Sequence, residues 1–562
     1  MPRPITDGVV PWPAELAARY RAKGYWQDRA VTAHILDQVD RAPDALAIVD
    51  GSVRLTYAKL AELADACAER LTDLGLSHGD RVVVQLPNTW EFVAFTLACF
   101  RIGVAPVMAL PAHRKHEMSY LAAHSEAVAL VVPGVERDFD HEELAAEIAA
   151  GTDSVQHVLV LADSVRPGHV NLRELITPIA DPGQARRRLD ERAPAGADVA
   201  CFLLSGGTTG LPKLITRTHN DYVYNALQSA VMCELDAGSV YLVSLPASHN
   251  FPLACPGVLG VLMTGGTVVM LGSPSPAKAF PVIRREGVTV TAVVPAVAAR
   301  WLDHHLEHPS DDLNTLKVLQ VGGSRLPNEL AARIKPVLGA TLQQVFGMAE
   351  GLINVTRLDD PEDVICATQG RPMCDADELL IVDEHDVPVP AGVCGSLLTR
   401  GPYTPRGYYR AEEQNLRAFT ADGWYRSGDI CSLHPSGNLV VEGRDKDMIN
   451  RGGEKISAEE IENFGYQVPG VAEVAAVAMP DPKLGERLCV YVVPRPGATV
   501  TLADFTGVMR TAGVAAFKLP EVLVLVEHLP TTKVGKIDKK DIRADLQRRI
   551  TQGLVGVGGA GS

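Results

Sequence analysis

The chain has 562 residues, of which 46% are hydrophobic, 22% charged and 5% aromatic, and its formal net charge is -15 at pH 7. At about 150 residues per domain, this length predicts a globular protein of roughly three or four packed units, and the composition excludes disordered and fibrous classes. The acidic balance argues against a nucleic-acid partner, because such proteins need an excess of Lys and Arg at the phosphates.

Three features of the sequence bear on its compartment. The ten cysteines show no zinc-like or disulfide-framework spacing, so free thiols in a reducing cytoplasm are expected. The N-terminus lacks the apolar segment of a signal peptide, and export is not expected. Residues 251–272 carry no charge and could span a bilayer in length, but two prolines and five glycines interrupt them. We therefore expect buried α/β core there and no membrane partner.

Short apolar runs rich in β-branched residues alternate with helical stretches from about residue 30 to residue 440. The strand-like runs lie at residues 81–85, 129–132, 158–161, 288–294 and 316–321. Uninterrupted apolar strands are typical of parallel sheets covered by helices on both faces. The sequence therefore predicts an α/β fold with a large, multi-lobed N-terminal domain over residues 1–443.

The sequence becomes polar and charged near residues 443–455, which predicts a hinge over residues 444–449 and a small mobile α+β domain over residues 450–550. A helix is expected to begin after Ser457, with Glu460 at the spacing of a capping box. Strands are expected at residues 472–480 and 487–494. Residues 551–562 are glycine-rich, which predicts a flexible tail.

A glycine- and threonine-rich run, SGGTTGLPK, follows an apolar strand at residues 205–213. Hydroxyls, glycine amides and one positive charge suit a loop that holds a polyphosphate. The candidate residues are Ser205, Gly206, Thr208, Thr209 and Lys213. The spacing does not match the P-loop motif, because a proline precedes the lysine and a leucine follows it. Taken alone, the run could also be an ordinary glycine-rich turn.

Five further motifs follow in order along the chain. They are VGG at residues 321–323, VFGMAE at 345–350, YRSGD at 425–429, GRDKD at 443–447 and GK at 535–536. Together with the loop, this set resembles the ANL superfamily of acyl-AMP-forming enzymes, which includes acyl-CoA synthetases, nonribosomal peptide adenylation domains and luciferases. The resemblance covers nearly the entire chain. It implies a ligase that uses ATP and Mg²⁺ to adenylate a carboxylic acid.

The resemblance implies an ATP site built from these motifs. Asp429 would accept hydrogen bonds from the ribose hydroxyls, as a carboxylate can with two oxygens. Arg444 would contact the ribose and the phosphates through its planar guanidinium. Gly323, Val345 and Gly347 would form the adenine slot, where a missing side chain lets the base approach the backbone closely.

The resemblance also implies a catalytic set of Lys213, Glu350 and Lys536. Glu350 would hold Mg²⁺, whose other ligands would be phosphate oxygens and water. Lys536 would reach the carboxylate oxygen and the α-phosphate as charge moves toward pyrophosphate. Lys446, two residues past the motif arginine, would be the hinge about which the small domain rotates between two half-reactions.

Residues 248–257, SHNFPLACPG, bear on the identity of the acid. In amino-acid-activating relatives, the position aligned with Asn250 carries an Asp that pairs with the substrate ammonium. Asn250 is neutral and can hydrogen-bond a phenolic hydroxyl and a carboxylate, so an acid without an α-amine is expected. The residues expected to line this pocket are His249, Asn250, Phe251, Cys255, Gly347 and Ile353.

This run, with residues 342–354 and 443–456, is similar to the free-standing aryl acid–AMP ligases of siderophore pathways. Those ligases activate salicylate or 2,3-dihydroxybenzoate and load an external aryl carrier protein through its phosphopantetheine arm. Cys255 stands where dihydroxybenzoate enzymes carry Ser, and a thiol is a weak partner for a 3-hydroxyl. Ile353 is bulkier than the Val of dihydroxybenzoate-type pockets, so the resemblance favours salicylate. A packing role for Cys255, without effect on selection, stays open.

Two alternatives to carrier loading stay open. An aryl- or acyl-CoA synthetase would share the first half-reaction and use free CoA as the acceptor. A catalytically inactive nucleotide-binding module could share the fold, although the presence of Glu350, Asp429 and Lys536 argues against it. Only a short tail follows residue 545, so any carrier domain is expected to be external, and nothing in the sequence indicates the oligomeric state.

Overall fold

The structure, a computed structural model, describes residues 4–205, 212–451, 454–481, 484–512, 514, 516–532 and 535–555. Residues 206–211 of the predicted phosphate loop, which include the candidates Gly206, Thr208 and Thr209, lie outside the described residues, as do residues 556–562 of the predicted tail.

Strands and helices alternate along the first 444 residues. The strands are β1 (Leu46–Asp50), β2 (Val53–Thr56), β3 (Arg81–Val84), β4 (Ala105–Met108), β5 (Ala129–Pro133), β6 (Val135–Glu136), β7 (Phe139–Asp140), β8 (His157–Leu161), β9 (Val170–Asn171), β10 (Val199–Leu204), β11 (Leu214–Thr218), β12 (Val240–Val243), β13 (Thr267–Met270), β14 (Val290–Val293), β15 (Val318–Gly322), β16 (Thr341–Gly347), β17 (Ile353–Val355), β18 (Arg371–Pro372), β19 (Glu378–Val382), β20 (Gly395–Arg400), β21 (Tyr425–Leu433) and β22 (Leu439–Arg444). The helices are α1 (Ala14–Ala22), α2 (Val31–Arg41), α3 (Tyr57–Asp73), α4 (Trp90–Ile102), α5 (Lys115–His124), α6 (His141–Ala150), α7 (Leu172–Leu175), α8 (Pro182–Asp190), α9 (His219–Met232), α10 (Asn250–Ala254), α11 (Gly257–Thr264), α12 (Pro276–Glu286), α13 (Pro295–Glu307), α14 (Asn328–Leu338), α15 (Glu362–Ala367) and α16 (Glu412–Ala418).

Two mainly parallel sheets form the centre of this region. One has the strand order β18-β17-β16-β15-β14-β12-β13-β1-β2, with antiparallel strands at both edges. The other has the order β11-β10-β4-β3-β5-β8-β9, with β11 antiparallel at one edge. The five predicted strand runs correspond to β3, β5, β8, β14 and β15, and almost all residues of these strands are buried. The predicted α/β fold is therefore confirmed.

Buried helices lie between the two sheets. Helix α4 contacts β4 of one sheet and β1 of the other, and nearly all of its residues are buried. Residues 251–272 form most of α10, all of α11 and strand β13, so the prediction of buried core for this uncharged stretch is confirmed. None of the helices in the described parts of the chain combines the length and hydropathy needed to cross a bilayer. All ten cysteines are free thiols.

A third, antiparallel sheet has the order β19-β20-β21-β22, and the chain leaves it at Arg444. The C-terminal elements are β23 (Ile449–Arg451), β24 (Glu454–Ile456), α17 (Ala458–Gly465), β25 (Val471–Asp481), β26 (Gly485–Pro494), α18 (Leu502–Thr511), β27 (Val522–Leu525) and α19 (Lys539–Thr551). Their sheet has the order β24-β23-β26-β25, with β27 parallel to β26. The segment predicted as a hinge is thus the link between two sheets, with Lys446 in a short 3₁₀ turn. The pivoting role of Lys446 stays a prediction.

The start of α17 corrects one local prediction. Ser457 caps the helix, since its side chain accepts a hydrogen bond of 3.1 Å from the Glu460 amide. The carboxylate of Glu460 pairs with Lys518 at 2.7 Å, so the reciprocal half of the expected capping box is wrong. A lysine ammonium is a stronger partner for a carboxylate than a backbone amide, and the predicted spacing could not reveal it.

Candidate active site

The carboxyl ends of β12, β14, β15 and β16 lie side by side in the larger sheet. Residues that follow three of these strands line one small cavity: His249 after β12, Val294 after β14 and Gly323 after β15. Phe251 and, from the C-terminal region, Lys536 also line it. Ligands of open α/β folds bind at this edge, beyond the carboxyl ends of the strands.

Gly323 lets Lys536 approach the end of β15 closely. The φ angle of Gly323 is +91°, which L side chains rarely adopt. A Cβ at this position would lie 3.3 Å from Lys536 Cε and 3.4 Å from Val294 Cγ1. The backbone conformation therefore favours glycine, and the missing side chain leaves room for Lys536 and Val294 to lie close to the end of β15.

Four charged side chains from separate motifs interact electrostatically around Lys536, which lines the cavity. Burial and the nearby Arg444 lower the pKa of Lys536 to about 8, while Asp429 and Glu350 oppose the shift. Charges act on one another over a longer range in a poorly solvated site than in water, because solvent screens them less. The structure therefore brings together four of the residues that the sequence selected from distant positions.

Asp429 and Arg444 face each other across the antiparallel pair β21–β22. Arg444 Nε lies 2.7 Å from Asp429 Oδ1, and Arg444 Nη1 donates to the Ser427 carbonyl at 3.0 Å. Burial raises the pKa of Asp429, although Arg444 opposes the shift. The second carboxylate oxygen, Asp429 Oδ2, is buried and has no partner among the described residues. A buried acceptor of this kind fits a ligand hydroxyl, such as those of a ribose.

Glu350 is held by a tyrosine that the sequence analysis did not select. Tyr408 Oη donates to Glu350 Oε1 at 2.9 Å and lies 3.2 Å from Tyr425 Oη. The ammonium of Lys213 stands over the Tyr408 ring, 5.2 Å from its centroid. Tyr408 therefore links the lysine that ends the phosphate loop to the predicted metal carboxylate.

The described residues fit a Mg²⁺ ion held mainly by its substrate. They contain no group of three or more His, Cys, Asp or Glu side chains that could hold a metal. Glu350 uses Oε1 for the Tyr408 hydrogen bond, and one further carboxylate oxygen can serve a cation. Mg²⁺ typically takes one or two carboxylates and completes its octahedron with phosphates and water.

The ends of the predicted phosphate loop close on each other. Strands β10 and β11 form a hairpin, and Ser205 and Lys213 mark the two ends of its connection. Ser205 N donates to the Lys213 carbonyl at 3.0 Å, and Lys213 N donates to Ser205 Oγ at 2.9 Å. Two hydrogen bonds between Ser205 and Lys213 thus join the two ends of the loop at its base.

His249 caps the start of helix α10 and is neutral. Its Nδ1 accepts a hydrogen bond of 3.2 Å from the Phe251 amide, so the ring proton lies on Nε2. Burial, with a smaller contribution from Lys536, lowers the pKa of His249 to about 4. The protonation state, which the sequence left open, follows from burial and, to a smaller extent, from the lysine across the cavity, whereas the capping contact sets the tautomer.

The residues predicted to bind the acid fall into two groups. Phe251 packs against the end of β15, because a Cβ at Gly322 would lie 3.1 Å from its ring, and Ile353 packs against Gly347 in the same way at 3.2 Å. Asn250 and Cys255 are 6% and 5% exposed and do not line the cavity. They contact each other in the buried interior, with Asn250 Nδ2 donating to Cys255 Sγ at 3.3 Å. Val345 is buried beside Gly322 in the sheet.

The fold and this site define an adenylate-forming ligase. The sequence pattern of the AMP-binding enzymes matches residues 35–409, and that of the AMP-binding enzyme C-terminal domain matches residues 460–536. The chain therefore belongs to the AMP-binding enzyme family, the ANL superfamily that the motifs indicated. Family membership confirms the predicted ligase class.

Relatives of similar length support an aryl acid as the substrate class. The chain is 59% identical to the salicylyl-CoA synthase / salicylate adenylyltransferase of a Streptomyces species, over 96% of this chain and 97% of that protein. It is 47% identical to the salicyl-AMP ligase / salicyl-S-ArCP synthetase of Mycobacterium tuberculosis, over 96% and 95%. The apo structure of MbtA from Mycobacterium smegmatis matches with a TM-score of 0.72 and 46% identity, over 95% and 98%. The chain is an aryl acid-adenylating ligase.

Proposed function

We propose that the protein activates salicylate as salicyl-AMP and then transfers the salicyl group to the phosphopantetheine thiol of an external aryl carrier protein. The observation that carries the choice of acid is the neutral surrounding of Asn250. Its hydrogen-bond partners are the Tyr222 hydroxyl and the Cys255 thiol. Asp221, the buried carboxylate one residue before Tyr222, is already paired with Arg217 at 2.6 Å. An amino acid's ammonium would therefore find no carboxylate among the described side-chain partners of Asn250.

Cys255 supports salicylate over 2,3-dihydroxybenzoate. Burial raises the pKa of the Cys255 thiol to about 12, so the group is a neutral thiol at physiological pH. A thiol is a weak hydrogen-bonding group, and an unsatisfied buried hydroxyl costs about 1–3 kcal/mol, roughly ten- to a hundredfold in preference. The 3-hydroxyl of dihydroxybenzoate would carry this cost and salicylate would not.

In the first half-reaction a carboxylate oxygen of the acid attacks the α-phosphorus of ATP, and the bond to pyrophosphate breaks. Lys536 would place its ammonium beside the attacking oxygen and the α-phosphate, where negative charge redistributes. Asp429, through its unpartnered oxygen, would accept a ribose hydroxyl and fix the nucleotide. Mg²⁺ held at Glu350 would neutralise the triphosphate. This is catalysis by positioning and electrostatics.

In the second half-reaction a thiol attacks the acyl carbon and AMP leaves. The carrier protein is our first choice of acceptor, and free CoA is a second candidate because a relative at 59% identity is named a salicylyl-CoA synthase. The hinge at residues 444–449, with Lys446 as its pivot, would allow the C-terminal domain to exchange the contacts of one half-reaction for those of the other.

ATP–pyrophosphate exchange tests the choice of acid. Salicylate is expected to give the highest kcat/KM, above 2,3-dihydroxybenzoate, benzoate and a panel of amino acids. Strong exchange with an amino acid and none with aryl acids would refute the proposal. Cys255→Ser should shift the preference toward 2,3-dihydroxybenzoate by about tenfold or more, since it supplies the missing hydroxyl partner. Cys489→Ser, at an equally buried thiol of the C-terminal core, is the matched control and should leave the preference unchanged.

The acceptor is tested separately with preformed salicyl-AMP. Labelling of a holo aryl carrier domain is compared with formation of salicyl-CoA at matched thiol concentrations. Carrier loading with negligible salicyl-CoA supports our first choice. Efficient salicyl-CoA formation without carrier labelling would replace it with the CoA synthetase and leave the adenylation step intact.

A further inference from the structure

A buried layer of polar side chains from β11 and α9 is in contact with Asn250 and Cys255. Arg217 and Asp221 form its ion pair, Nε to Oδ1 at 2.6 Å, and both side chains are completely buried. Asp221 also accepts from the amide and hydroxyl of Thr218 at 2.6 Å each. A buried charge persists only when partners satisfy it, so this arrangement holds its members in one geometry.

Tyr222 connects Asn250 to this ion pair. The Tyr222 hydroxyl is fully buried and donates to Asn250 Oδ1 at 3.1 Å. The guanidinium of Arg217 stands over the Tyr222 ring, 5.0 Å from its centroid, and a nearby cation makes the phenolic hydroxyl a better donor. The other contact of the amide is the sulfur of Cys255, a weak hydrogen-bonding partner.

The orientation of this amide decides what it offers to a ligand. A carboxamide that turns by 180° exchanges its carbonyl acceptor for an NH₂ donor. In the structure Oδ1 lies on the Tyr222 side and Nδ2 on the Cys255 side; because a tyrosine hydroxyl can donate or accept, Tyr222 anchors the amide in place whichever of its ends faces the hydroxyl. With the tyrosine hydroxyl removed, the weak contact with the Cys255 sulfur would be the remaining side-chain contact described for the amide.

The same layer reaches both sides of the site. Arg217 Nη1 donates to the carbonyl of Ala349 at 3.1 Å, immediately before Glu350. Arg217 Nη2 lies 3.4 Å from Asn225 Oδ1, and Asn225 Nδ2 donates to the Ala254 carbonyl at 2.6 Å. Hydrogen bonds of Arg217 and Asn225 thus connect the backbone of helix α10 to the backbone of the residue before Glu350.

We propose that Tyr222 is a positioning residue that sets acid specificity, because its hydrogen bond holds the Asn250 side chain in the place from which the amide recognises the 2-hydroxyl of a 2-hydroxyaryl acid. The inference rests on the proposed function. It assigns discrimination between hydroxylated and unsubstituted aryl acids to a residue that does not itself touch the acid.

The test compares salicylate with benzoate, which lacks the 2-hydroxyl, in ATP–pyrophosphate exchange by the full-length enzyme. Tyr222→Phe should lower the ratio of the two kcat/KM values by about two- to tenfold, the size of one hydrogen bond, mainly through a higher KM for salicylate. The ratio on a single preparation does not depend on the folded fraction. Tyr241→Phe is the matched control, because Tyr241 is fully buried and its hydroxyl has no hydrogen-bond partner among the described residues.

The outcomes separate the two levels of the proposal. An unchanged ratio in Tyr222→Phe, or an equal fall in Tyr241→Phe, would overturn the positioning role and leave salicylate activation standing. A wild-type enzyme that activates aryl acids without distinguishing salicylate from benzoate would also overturn it. A wild-type enzyme that activates no aryl acid would refute the proposed function, and the inference with it.

Discussion

The rate of adenylation should depend on the positive charge of Lys536. We therefore expect the rate to fall with rising pH at an unusually low pH for a lysine. Burial lowers the pKa of this lysine to about 8, so the ammonium is lost as the pH rises through that value. The protonated fraction is about 0.9 at pH 7 and about 0.1 at pH 9, which predicts a roughly tenfold loss of rate between them. The initial rate of ATP–pyrophosphate exchange with both substrates well below saturation reports ionisations of the free enzyme. Bound triphosphate should raise the pKa again, so the fall in kcat is expected at higher pH.

Two variants isolate the lysine as the cause of this fall. Lys536→Arg keeps a permanent positive charge, so its reduced activity should show no alkaline fall near pH 8. Lys540→Ala removes an exposed lysine four residues away and should leave the profile unchanged. A wild-type rate that stays level to pH 10, or a fall of the same midpoint in Lys536→Arg, would refute the assignment.

The other predictions concern contacts of the same cluster. Tyr408→Phe removes the 2.9 Å hydrogen bond to Glu350 and should raise the Mg²⁺ concentration for half-maximal activity about tenfold, as expected for a bond to a charged group. Tyr409→Phe, the adjacent buried tyrosine, should not change it, and equal shifts in both variants would contradict the assignment. Gly323→Ala places a Cβ 3.3 Å from Lys536 Cε at a positive φ angle, so we expect a free energy of unfolding lower by about 1 kcal/mol or more and a reduced kcat. A fully active variant with unchanged stability would show that neither the space nor the backbone angle matters.

The strands and the order of the motifs could be predicted because their signals are local. Residues 129–132 form an apolar run, and the structure extends it by one residue to β5. The buried position of the uncharged residues 251–272 is also predictable, because their prolines and glycines exclude one continuous membrane helix. Such patterns involve residues that are adjacent in the sequence, so they can be recognised without knowing how the chain folds.

The contacts that orient the site could not be predicted in this way. Tyr408 meets Glu350 across 58 residues of sequence, and Arg217 meets the Ala349 carbonyl across 132. No periodicity marks such partners, since only the packed fold brings them together. The neutral state of His249 likewise depends on burial and on Lys536 from the other end of the chain.

The path of the carboxylate oxygen tests the central claim of adenylation most directly. Salicylate labelled with ¹⁸O in its carboxylate is incubated with the enzyme, Mg·ATP and a thiol acceptor, and the products are analysed by mass spectrometry. Attack on the α-phosphorus leaves one substrate oxygen in the nucleotide when the thiol displaces AMP. We predict one ¹⁸O atom in each AMP and none in pyrophosphate. Unlabelled AMP, or ADP with ¹⁸O in orthophosphate, would contradict an acyl-AMP intermediate.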